Sequence, residues 1–263
     1  MMTSKEQVRQ VKNILDALIK AEKADNDTAE VIHDKELSKL PALTNDNILN
    51  AVNEAIGVNS KRKKVSVFVF AELYKVQGIT EVFTDLLNSS DSADKGLIIQ
   101  VIGLRKLKAF VPLLNSQFHK ETDTDCKSQI LYTLGTIADE SSFQIFLDLT
   151  QTADRNLYWR LIWAFKNFAK HESKSFLEKV FNDKQTDKSD KVVSAWGLAK
   201  IGDNYYYDYL VRMLDDPDIE TSTSYSPGQS MRAAQAICDI KKWDFVWNKD
   251  FVATVKERIK NVS

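Results

Sequence analysis

The stretch "KVVSAWGLAKIGDNYYYDYLVRMLDDPD", residues 191–218, decides the fold because it contains two helical patterns joined by a short turn. In residues 192–201 apolar side chains are packed closely, which is typical of a helix that is apolar over a wide arc. In the second pattern they recur at one face of a helix with 3.6 residues per turn, namely Tyr206, Tyr207, Leu210, Met213 and Leu214. Gly202 is predicted to end the first helix, and Asp203 or Asn204 to cap the second.

The same pair of patterns recurs along the chain. An apolar residue near the end of each first helix serves as an anchor, and the anchors are Leu73, Leu104, Ile137, Phe168, Ile201 and Ile240. Successive anchors are 31, 33, 31, 33 and 39 residues apart. A single helix pair cannot bury its apolar face alone, whereas stacked pairs form one continuous core. A near-constant period with two helices per unit therefore predicts a repeat protein.

We expect an all-α fold in which residues 1–59 form an N-terminal helical cap and residues 60–263 form the repeats. The chain has only 8 glycines and 4 prolines, which favours long helices with short connections. In the cap, Ser4 and Gln7 have the spacing of a capping box. The longer last interval reflects an insertion at residues 215–230, "DDPDIETSTSYSPGQS", which we expect to be an exposed loop between two repeats.

The unit at residues 191–218 resembles the HEAT repeat of the short bacterial type, which is also called PBS-lyase-like. Its first helix ends in "GLAKIGD" and leads into a second helix with spaced leucines, and "LGTIADESSFQIFL" and "VIGLRKLKAFVPLL" are weaker copies. The resemblance covers roughly residues 60–262. It implies a right-handed α-solenoid of about six helix pairs, whose second helices line a concave surface that usually binds another protein. Such motifs specify a scaffold rather than a chemistry.

The composition narrows the function classes. The chain has 36 Lys and Arg against 37 Asp and Glu, a formal net charge of −1, so a basic footprint for nucleic acid is not visible at whole-chain level. Its two cysteines, Cys126 and Cys238, are too few and too far apart for a disulfide framework, which favours a reducing compartment. No apolar run has the length of a signal-peptide core or a membrane span. We therefore expect a soluble cytoplasmic protein that does not bind membranes.

Motifs for chemistry are missing from the sequence. The three histidines, His33, His119 and His171, have no metal-ligand spacing, and neither cysteine lies beside a histidine. The alternating carboxylates of "DDPDIE" lack the glycine and glutamate that a calcium-binding loop needs. A glycine-rich phosphate loop is also missing. We predict no catalytic residue, no metal ion, no cofactor and no small-molecule substrate.

Aromatic residues are the most informative surface candidates. Tyr206 and Tyr207 are predicted to share the core face of their helix. Tyr205 and Tyr209 are four residues apart and lie about 100° or more from the centre of that face, with Arg212 nearby. Tyrosine, tryptophan and arginine are over-represented in binding hot spots. The predicted partner-binding residues are Tyr205, Tyr209, Arg212, Trp159, Asp216 and Asp218.

Two basic clusters also stand out in the sequence. "KRKK" occupies residues 61–64, and Arg105, Lys106 and Lys108 surround a later turn. Each cluster is either an ordinary charged edge or a patch that binds phosphate or an acidic partner.

The first functional hypothesis is a non-catalytic scaffold that binds another protein on its concave face. A specific version is an inhibitor or immunity protein that binds one toxin or enzyme. The alternative is a DNA-binding protein similar to the alkylpurine DNA glycosylases built from HEAT-like repeats, which use an aromatic cleft with an acidic residue. The nearest candidates for those roles are Trp159, Trp163 and either Asp154 or Asp190, and the balanced charge argues against them. A third hypothesis, a chromophore-lyase subunit, depends on the repeat alone.

Overall fold

The computed structural model describes residues 2–21, 24, 26–39, 54, 61–62, 66, 79–88, 92–151, 157–216, 228–244 and 250–261. These residues contain helices and no β-strand, so the predicted all-α class is confirmed. The α-helices are α1 (Ser4–Ala21), α2 (Asn26–Leu37), α3 (Ile79–Leu87), α4 (Ser92–Leu104), α5 (Val111–Lys120), α6 (Thr124–Ile137), α7 (Phe143–Leu149), α8 (Tyr158–Phe168), α9 (Lys174–Asn182), α10 (Lys188–Lys200), α11 (Asn204–Met213), α12 (Gln229–Lys241) and α13 (Phe251–Lys260). The anchor Leu73 lies outside the described residues.

A residue with left-handed backbone conformation follows each of the helices α4, α6, α8, α10 and α12. The φ angles are 49° at Lys106, 51° at Ala138, 50° at Ala169, 104° at Gly202 and 54° at Lys242. A left-handed residue after a helix satisfies its last carbonyls and turns the chain. These residues are 32, 31, 33 and 40 positions apart, so the period of the sequence corresponds to a recurring backbone turn.

The turn inside the opening stretch has the predicted chemistry. Helix α10 is followed by Gly202, and the side chain of Asp203 accepts a hydrogen bond from the Tyr205 N–H at 3.2 Å to cap α11. Asp139 does the same for the Ser141 N–H, also at 3.2 Å, at the recurring turn two positions earlier in the series. An aspartate after the left-handed residue thus supplies the acceptor that the first N–H groups of the next helical segment need.

The helices belong to two compact units. The first unit comprises residues 1–110 and 116–133, and the second comprises residues 111–115 and 134–263. In the first unit the aliphatic face of α1 is buried and packs against α2. A partly buried ion pair, Lys95 Nζ to Glu121 Oε2 at 2.6 Å, joins α4 to the turn after α5. Since both side chains are largely withdrawn from water, removal of either partner leaves a charge that is costly to bury.

The cap of α1 differs from the prediction. The predicted capping box was Ser4 with Gln7, but Thr3 and Glu6 form it: the Glu6 N–H donates to Thr3 Oγ1 at 3.3 Å, and the Thr3 N–H donates to Glu6 Oε2 at 2.7 Å. Both pairs have the required spacing. The carboxylate of Glu6 is the stronger acceptor and is favoured by the positive end of the helix dipole, and its hydrogen bonds from Thr3 lower the pKa of Glu6.

Helix α10 is the centre of the second unit. It packs against α8 and α12, which are also first helices of their pairs, and against the second helices α9 and α11. Its residues from Val192 to Ala199 are all buried, which explains why its sequence is apolar over a wide arc. In the second unit the first helices α8, α10 and α12 thus pack side by side, and we call them the first-helix layer, while α9 and α11 pack against α10.

Close helix contact in the second unit depends on Gly135 of α6. A Cβ atom at this position would lie 2.8 Å from the Cβ of Ala164 in α8 and 3.1 Å from its Cα. Only glycine allows the two backbones to approach this closely. Asn167 Nδ2 also donates to the Gly135 carbonyl at 2.8 Å across the same contact.

Both cysteines are buried in the core and neither belongs to a disulfide, and Cys238 lies in α12. Burial raises the pKa of the Cys238 thiol. No helix in the described part of the chain is both long enough and apolar enough to cross a bilayer.

Candidate binding surfaces

Most of the predicted partner-binding residues come together on one surface, which we call the tyrosine face: Phe181 of α9, Tyr205, Tyr209 and Arg212 of α11, and Asp216 after α11. Phe181 is its support, because it meets Tyr209 at 4.8 Å between ring centroids and Tyr206 at 5.0 Å, both edge to face. Tyr205 in turn meets Tyr206 edge to face at 5.0 Å. Tyr205 remains 61% exposed, so its outer side is open to a partner.

The predicted core face of α11 is largely correct. Tyr206 is buried, while Tyr207 is half-buried with the Lys241 ammonium 4.8 Å from its ring centroid. Tyr209 was expected off the core face and is half-buried, because Phe181 of the neighbouring helix covers one side of it. Burial raises the pKa of Tyr209, the nearby Asp216 carboxylate adds to that rise, and Arg212 opposes it.

Two of the predicted residues, Asp216 and Trp159, make contacts with the first-helix layer or lie in it. The Asp216 carboxylate forms a salt bridge with Lys188 at the start of α10, which ties the edge of the tyrosine face to the first-helix layer. Trp159 lies on α8, in that layer, where it is 39% exposed and has the Arg160 guanidinium carbon 4.2 Å from its ring centroid. Asp218 lies outside the described residues, as does Asp154.

A second surface lies on the first-helix layer, and we call it the tryptophan face: Trp163 and Lys166 of α8, Asp190 and Trp196 of α10, and Arg232 and Asp239 of α12. The Lys166 ammonium lies between two indole rings, 4.2 Å from the centroid of Trp163 and 4.0 Å from that of Trp196. The two rings meet edge to face at 6.2 Å. Although it is charged, Lys166 is only 7% exposed, because the ring faces stabilise its charge.

Helix α12 holds this assembly from its other side. The Trp196 indole N–H donates to Asp239 Oδ2 at 2.8 Å, and the same oxygen lies 3.1 Å from Lys200 Nζ. The Arg232 guanidinium carbon lies 5.9 Å from the centroid of Trp163, so an arginine from α12 reaches a ring on α8. The tryptophan face therefore joins three consecutive first helices.

Asp190 is the most perturbed acid of this face. Burial raises its pKa to about 6, the neighbouring Asp187 adds to the rise, and Arg232 opposes it. Asp187 is fixed at the start of α10, where its Oδ1 accepts the Asp190 N–H at 2.8 Å. A carboxyl group with a strongly perturbed pKa occurs at functional sites and also in the ion networks of ordinary structure.

Sequence reasoning named Trp163 and Asp190 but missed Lys166, Trp196 and Arg232. Within a single helix, one sequence signal points to this surface: Trp163 and Lys166 are three residues apart, which places them on the same face of α8. Trp196 belongs to the apolar arc of α10, which predicts that it is buried, and it is 7% exposed. The contacts with Arg232 and Asp239 cross between helices, so they depend on how the pairs stack.

The two basic clusters lie in the first unit. Arg62 makes a two-pronged hydrogen bond with Asp16 of α1, at 3.0 Å from Nε and 2.9 Å from Nη2. Lys61 is exposed, and residues 63–64 lie outside the described residues. Arg105, Lys106 and Lys108 are all exposed around the turn after α4. The first cluster thus has a structural role at Arg62, whereas the exposure of the second is compatible with both a charged edge and a binding patch.

Metal binding has no built site in the parts of the chain that the structure describes: they contain no group of three or more His, Cys, Asp or Glu side chains placed to hold an ion. A comparison with known protein families and with curated proteins finds no match to this chain.

Proposed function

We propose that this chain is a cytoplasmic, HEAT-like helical-repeat scaffold that binds another protein through its tyrosine face. In this proposal the helix pairs continue as a right-handed solenoid of about six units behind an N-terminal cap. The recurring left-handed residue after α4, α6, α8, α10 and α12 supports it, because a solenoid needs one equivalent turn per unit. An inhibitor or immunity protein that binds one toxin or enzyme is the specific form of this function.

The observation that carries the proposal is the support of an exposed tyrosine by the aromatic rings beneath it. Tyr205 is exposed, yet its ring rests on Tyr206, which rests on Phe181. A ring that is already held in place loses little conformational entropy when a partner covers it. With Arg212 one to two turns further along α11, the surface has the residue types of a binding hot spot.

The test is complex formation in extract from the native cell, using the full chain as bait. We expect a stoichiometric protein partner that is lost with Tyr205→Ala and with Arg212→Glu. Tyr132→Ala is the matched control, because Tyr132 is also an exposed tyrosine, 46% accessible, but lies on α6 in the first unit. Retention of the complex by the Tyr205 and Arg212 variants would show that the partner binds elsewhere, and recovery of no stoichiometric partner would contradict the scaffold function.

A second candidate, nucleic-acid binding, is favoured by the tryptophan face. Indole rings stack on bases, and arginine or lysine side chains bind phosphates. On this face Trp163 and Arg232 are the half-buried members of these two types, with the guanidinium carbon 5.9 Å from the ring centroid, so they are the side chains that a nucleic acid would contact. An alkylpurine glycosylase would be the enzymatic form of this candidate, with Asp190 as its acidic residue.

A gel-shift measurement at low salt with a short DNA duplex tests this candidate. We expect a retarded complex whose affinity falls as salt rises and which Arg232→Gln weakens. Absence of any retarded complex at low salt would contradict the candidate. If the duplex carries a methylated purine, release of that base by the wild-type chain distinguishes the enzymatic form from simple binding.

A further inference from the structure

The turn after α12 departs from the turns that end other first helices. After α6 and α10, the residue that follows the left-handed position is an aspartate, Asp139 or Asp203, whose side chain caps the next helical segment. After α12 the left-handed residue is Lys242 and the next residue is Trp243. An indole ring is a hydrogen-bond donor only, so it cannot accept the N–H groups of a following helix. The residue types of this turn are therefore not explained by helix capping.

The backbone of this turn is held in place by the end of α12. The Lys242 N–H donates to the Asp239 carbonyl at 3.3 Å, and the Trp243 N–H donates to the Cys238 carbonyl at 2.9 Å. These two hydrogen bonds are the pattern of a Schellman motif, which fixes the path of the chain as it leaves a helix. The Cα atoms of Lys241 and Trp243 are two peptide bonds apart, at most about 7 Å. The turn thus presents two lysines and an indole ring within a short distance.

The helices on either side of the turn complete the surface. The Lys241 ammonium lies 4.8 Å from the ring centroid of Tyr207 in α11, and the Arg258 guanidinium carbon of α13 lies 4.6 Å from the ring centroid of Trp243. The three cations are exposed, while the two rings are half-buried. We call this surface the Trp243 patch: Tyr207, Lys241, Lys242, Trp243 and Arg258.

The cations of the Trp243 patch have no carboxylate partner. Other lysines of the second unit form salt bridges with its own carboxylates, namely Lys170, Lys174, Lys188, Lys200 and Lys256. In the described part of the chain no salt bridge involves Lys241, Lys242 or Arg258. A guanidinium that stacks on a ring keeps its N–H edge available, and this edge matches a carboxylate. A cation that is already held against a ring also loses less conformational entropy when an anion binds.

The charges beside the patch decide which anionic ligand fits it. Asp244 directly follows Trp243 and Glu257 directly precedes Arg258, and both of these carboxylates are exposed. A nucleic-acid strand carries a charge on every nucleotide and requires a groove that is positive along its length, so these carboxylates would repel it. A protein segment can place a few carboxylates against the cations and other residues beside Asp244 and Glu257. Charge complementarity therefore favours an acidic protein segment.

We propose that the Trp243 patch binds an acidic segment of the partner protein, with carboxylates of that segment on Lys241, Lys242 and Arg258. This inference rests on the scaffold function for the kind of ligand, and it adds a contact surface outside the tyrosine face. Tyr205 and Tyr207 are two residues apart on α11, about 200° around the helix. The two surfaces therefore lie on different sides of α11.

The experiment measures the affinity of the full chain for a fluorescently labelled hexaglutamate peptide, by fluorescence anisotropy at constant low salt. We expect Lys242→Asn and Arg258→Gln each to weaken binding about fivefold, the factor that one unit charge at close range contributes in water. Asparagine tolerates the left-handed conformation, so Lys242→Asn removes the charge and keeps the turn. Lys106→Asn is the matched control, because Lys106 is also an exposed lysine in left-handed conformation, but lies after α4 in the first unit. It should leave the affinity unchanged.

A second measurement locates the peptide on the wild-type chain. The chain has five tryptophans, whose indole N–H signals can be followed in a ¹H–¹⁵N spectrum, and Trp243→Phe identifies the signal of Trp243. We expect this signal to shift as hexaglutamate is added, while the signals of Trp163 and Trp196 on the tryptophan face stay in place. A shift of the latter two alone would show that the peptide binds elsewhere and would overturn the assignment.

The remaining outcomes separate this inference from the scaffold function. If Lys106→Asn weakens hexaglutamate binding as much as Lys242→Asn does, the attraction is general and the Trp243 patch is not the site. If a hexathymidylate strand binds through these cations and hexaglutamate does not, the ligand is a nucleic acid and the assignment to an acidic protein segment is overturned. If neither probe binds, the patch is not an anion site. In each of these cases the loss of the native complex with Tyr205→Ala would still support the tyrosine face.

Discussion

The two outer faces of the second unit use aromatic residues in opposite ways. On the tryptophan face the rings are turned inward onto the protein's own cations, and both Trp196 and the Lys166 that it covers are only 7% exposed. On the tyrosine face the half-buried ring of Phe181 and the buried ring of Tyr206 lie beneath, and Tyr205 is exposed to solvent. Aromatic content alone therefore does not identify a binding surface, because what covers each ring decides its role.

The difference also predicts where mutations act. A ring that is covered by neighbouring side chains contributes mainly to the free energy of unfolding, since its removal leaves a cavity and unpaired polar groups. A ring that is exposed contributes little to folding and is available to a ligand. Variants on the two faces should therefore separate stability from binding.

The largest effect is expected for Trp196→Ala. The change removes a buried ring and leaves Asp239 without its 2.8 Å indole donor and Lys166 without one of its two rings. We expect a loss of about 3–5 kcal/mol in the free energy of unfolding, measured by urea denaturation followed by circular dichroism. Trp159→Ala is the matched control, because Trp159 is 39% exposed, and it should cost less than about 1 kcal/mol. Similar losses for both variants would mean that the burial of a ring does not determine how much it contributes to the free energy of unfolding.

A smaller effect is expected for Lys166→Met, which keeps the length of the side chain and removes its charge. The ammonium interacts with the ring faces of Trp163 and Trp196, so its loss should destabilise the fold by about 1–2 kcal/mol. Denaturation followed by tryptophan fluorescence measures both the stability and the environment of the rings. Lys200→Met is the control, since Lys200 pairs with Asp239 near the surface and makes a weaker contribution. If Lys166→Met is more stable than the wild type, the free-energy cost of burying the Lys166 charge exceeds the stabilisation that the two rings provide.

The fold was accessible from the sequence where each signal is local. The repeat period, the turn and the helix cap are all determined by residues that are close together in the sequence. Gly202 has the left-handed conformation that its residue type predicts, and Asp203 accepts the predicted capping hydrogen bond. The cap of α1 was misplaced by one residue, because Thr3 with Glu6 and Ser4 with Gln7 satisfy the same spacing rule. Only the relative strength of a carboxylate and an amide as acceptors decides between them.

The surfaces were less accessible because they form between helices. The tyrosine face was predicted from α11 alone, and the half-burial of Tyr209 by Phe181 of α9 was not. On the tryptophan face, Lys166, Trp196 and Arg232 are separated by 30 or more positions in the chain and meet through the stacking of α8, α10 and α12. A single sequence shows which face of one helix is apolar, but it does not show which side chain of the next helix covers it.

A pH-dependent effect of about 1 kcal/mol is expected for Asp190→Asn. Because the pKa of Asp190 is raised in the folded chain, its contribution to stability is fully present below the ordinary carboxyl pKa and is lost as the pH rises through about 6. The asparagine variant should therefore be more stable than the wild type above about pH 6, by about 1 kcal/mol after allowance for solvent screening of a half-buried group. Near pH 4 the two should be alike.

Thermal unfolding at several pH values checks this prediction, with Asp208→Asn as a control that should show no such trend. Asp187→Asn sharpens it, since loss of the neighbouring charge removes one cause of the raised pKa and should move the transition to lower pH, while asparagine still caps the helix. If the free energies of unfolding of Asp190→Asn and the wild type differ by the same amount at every pH, the stability of the fold does not depend on the ionisation of Asp190.

The smallest effect on stability is expected for Tyr205→Ala. The exposed ring makes one edge-to-face contact, with Tyr206. The hydrogen bond from Tyr205 to Asp203 is donated by the backbone N–H, so it is kept when the side chain is removed. The free energy of unfolding should fall by less than about 0.5 kcal/mol, against a loss of about 3 kcal/mol or more for Tyr206→Ala beneath it. Chemical denaturation of the two variants side by side measures this. A large loss for Tyr205→Ala would mean that its ring is part of the core of the fold, and a binding defect in that variant would then say nothing about a partner.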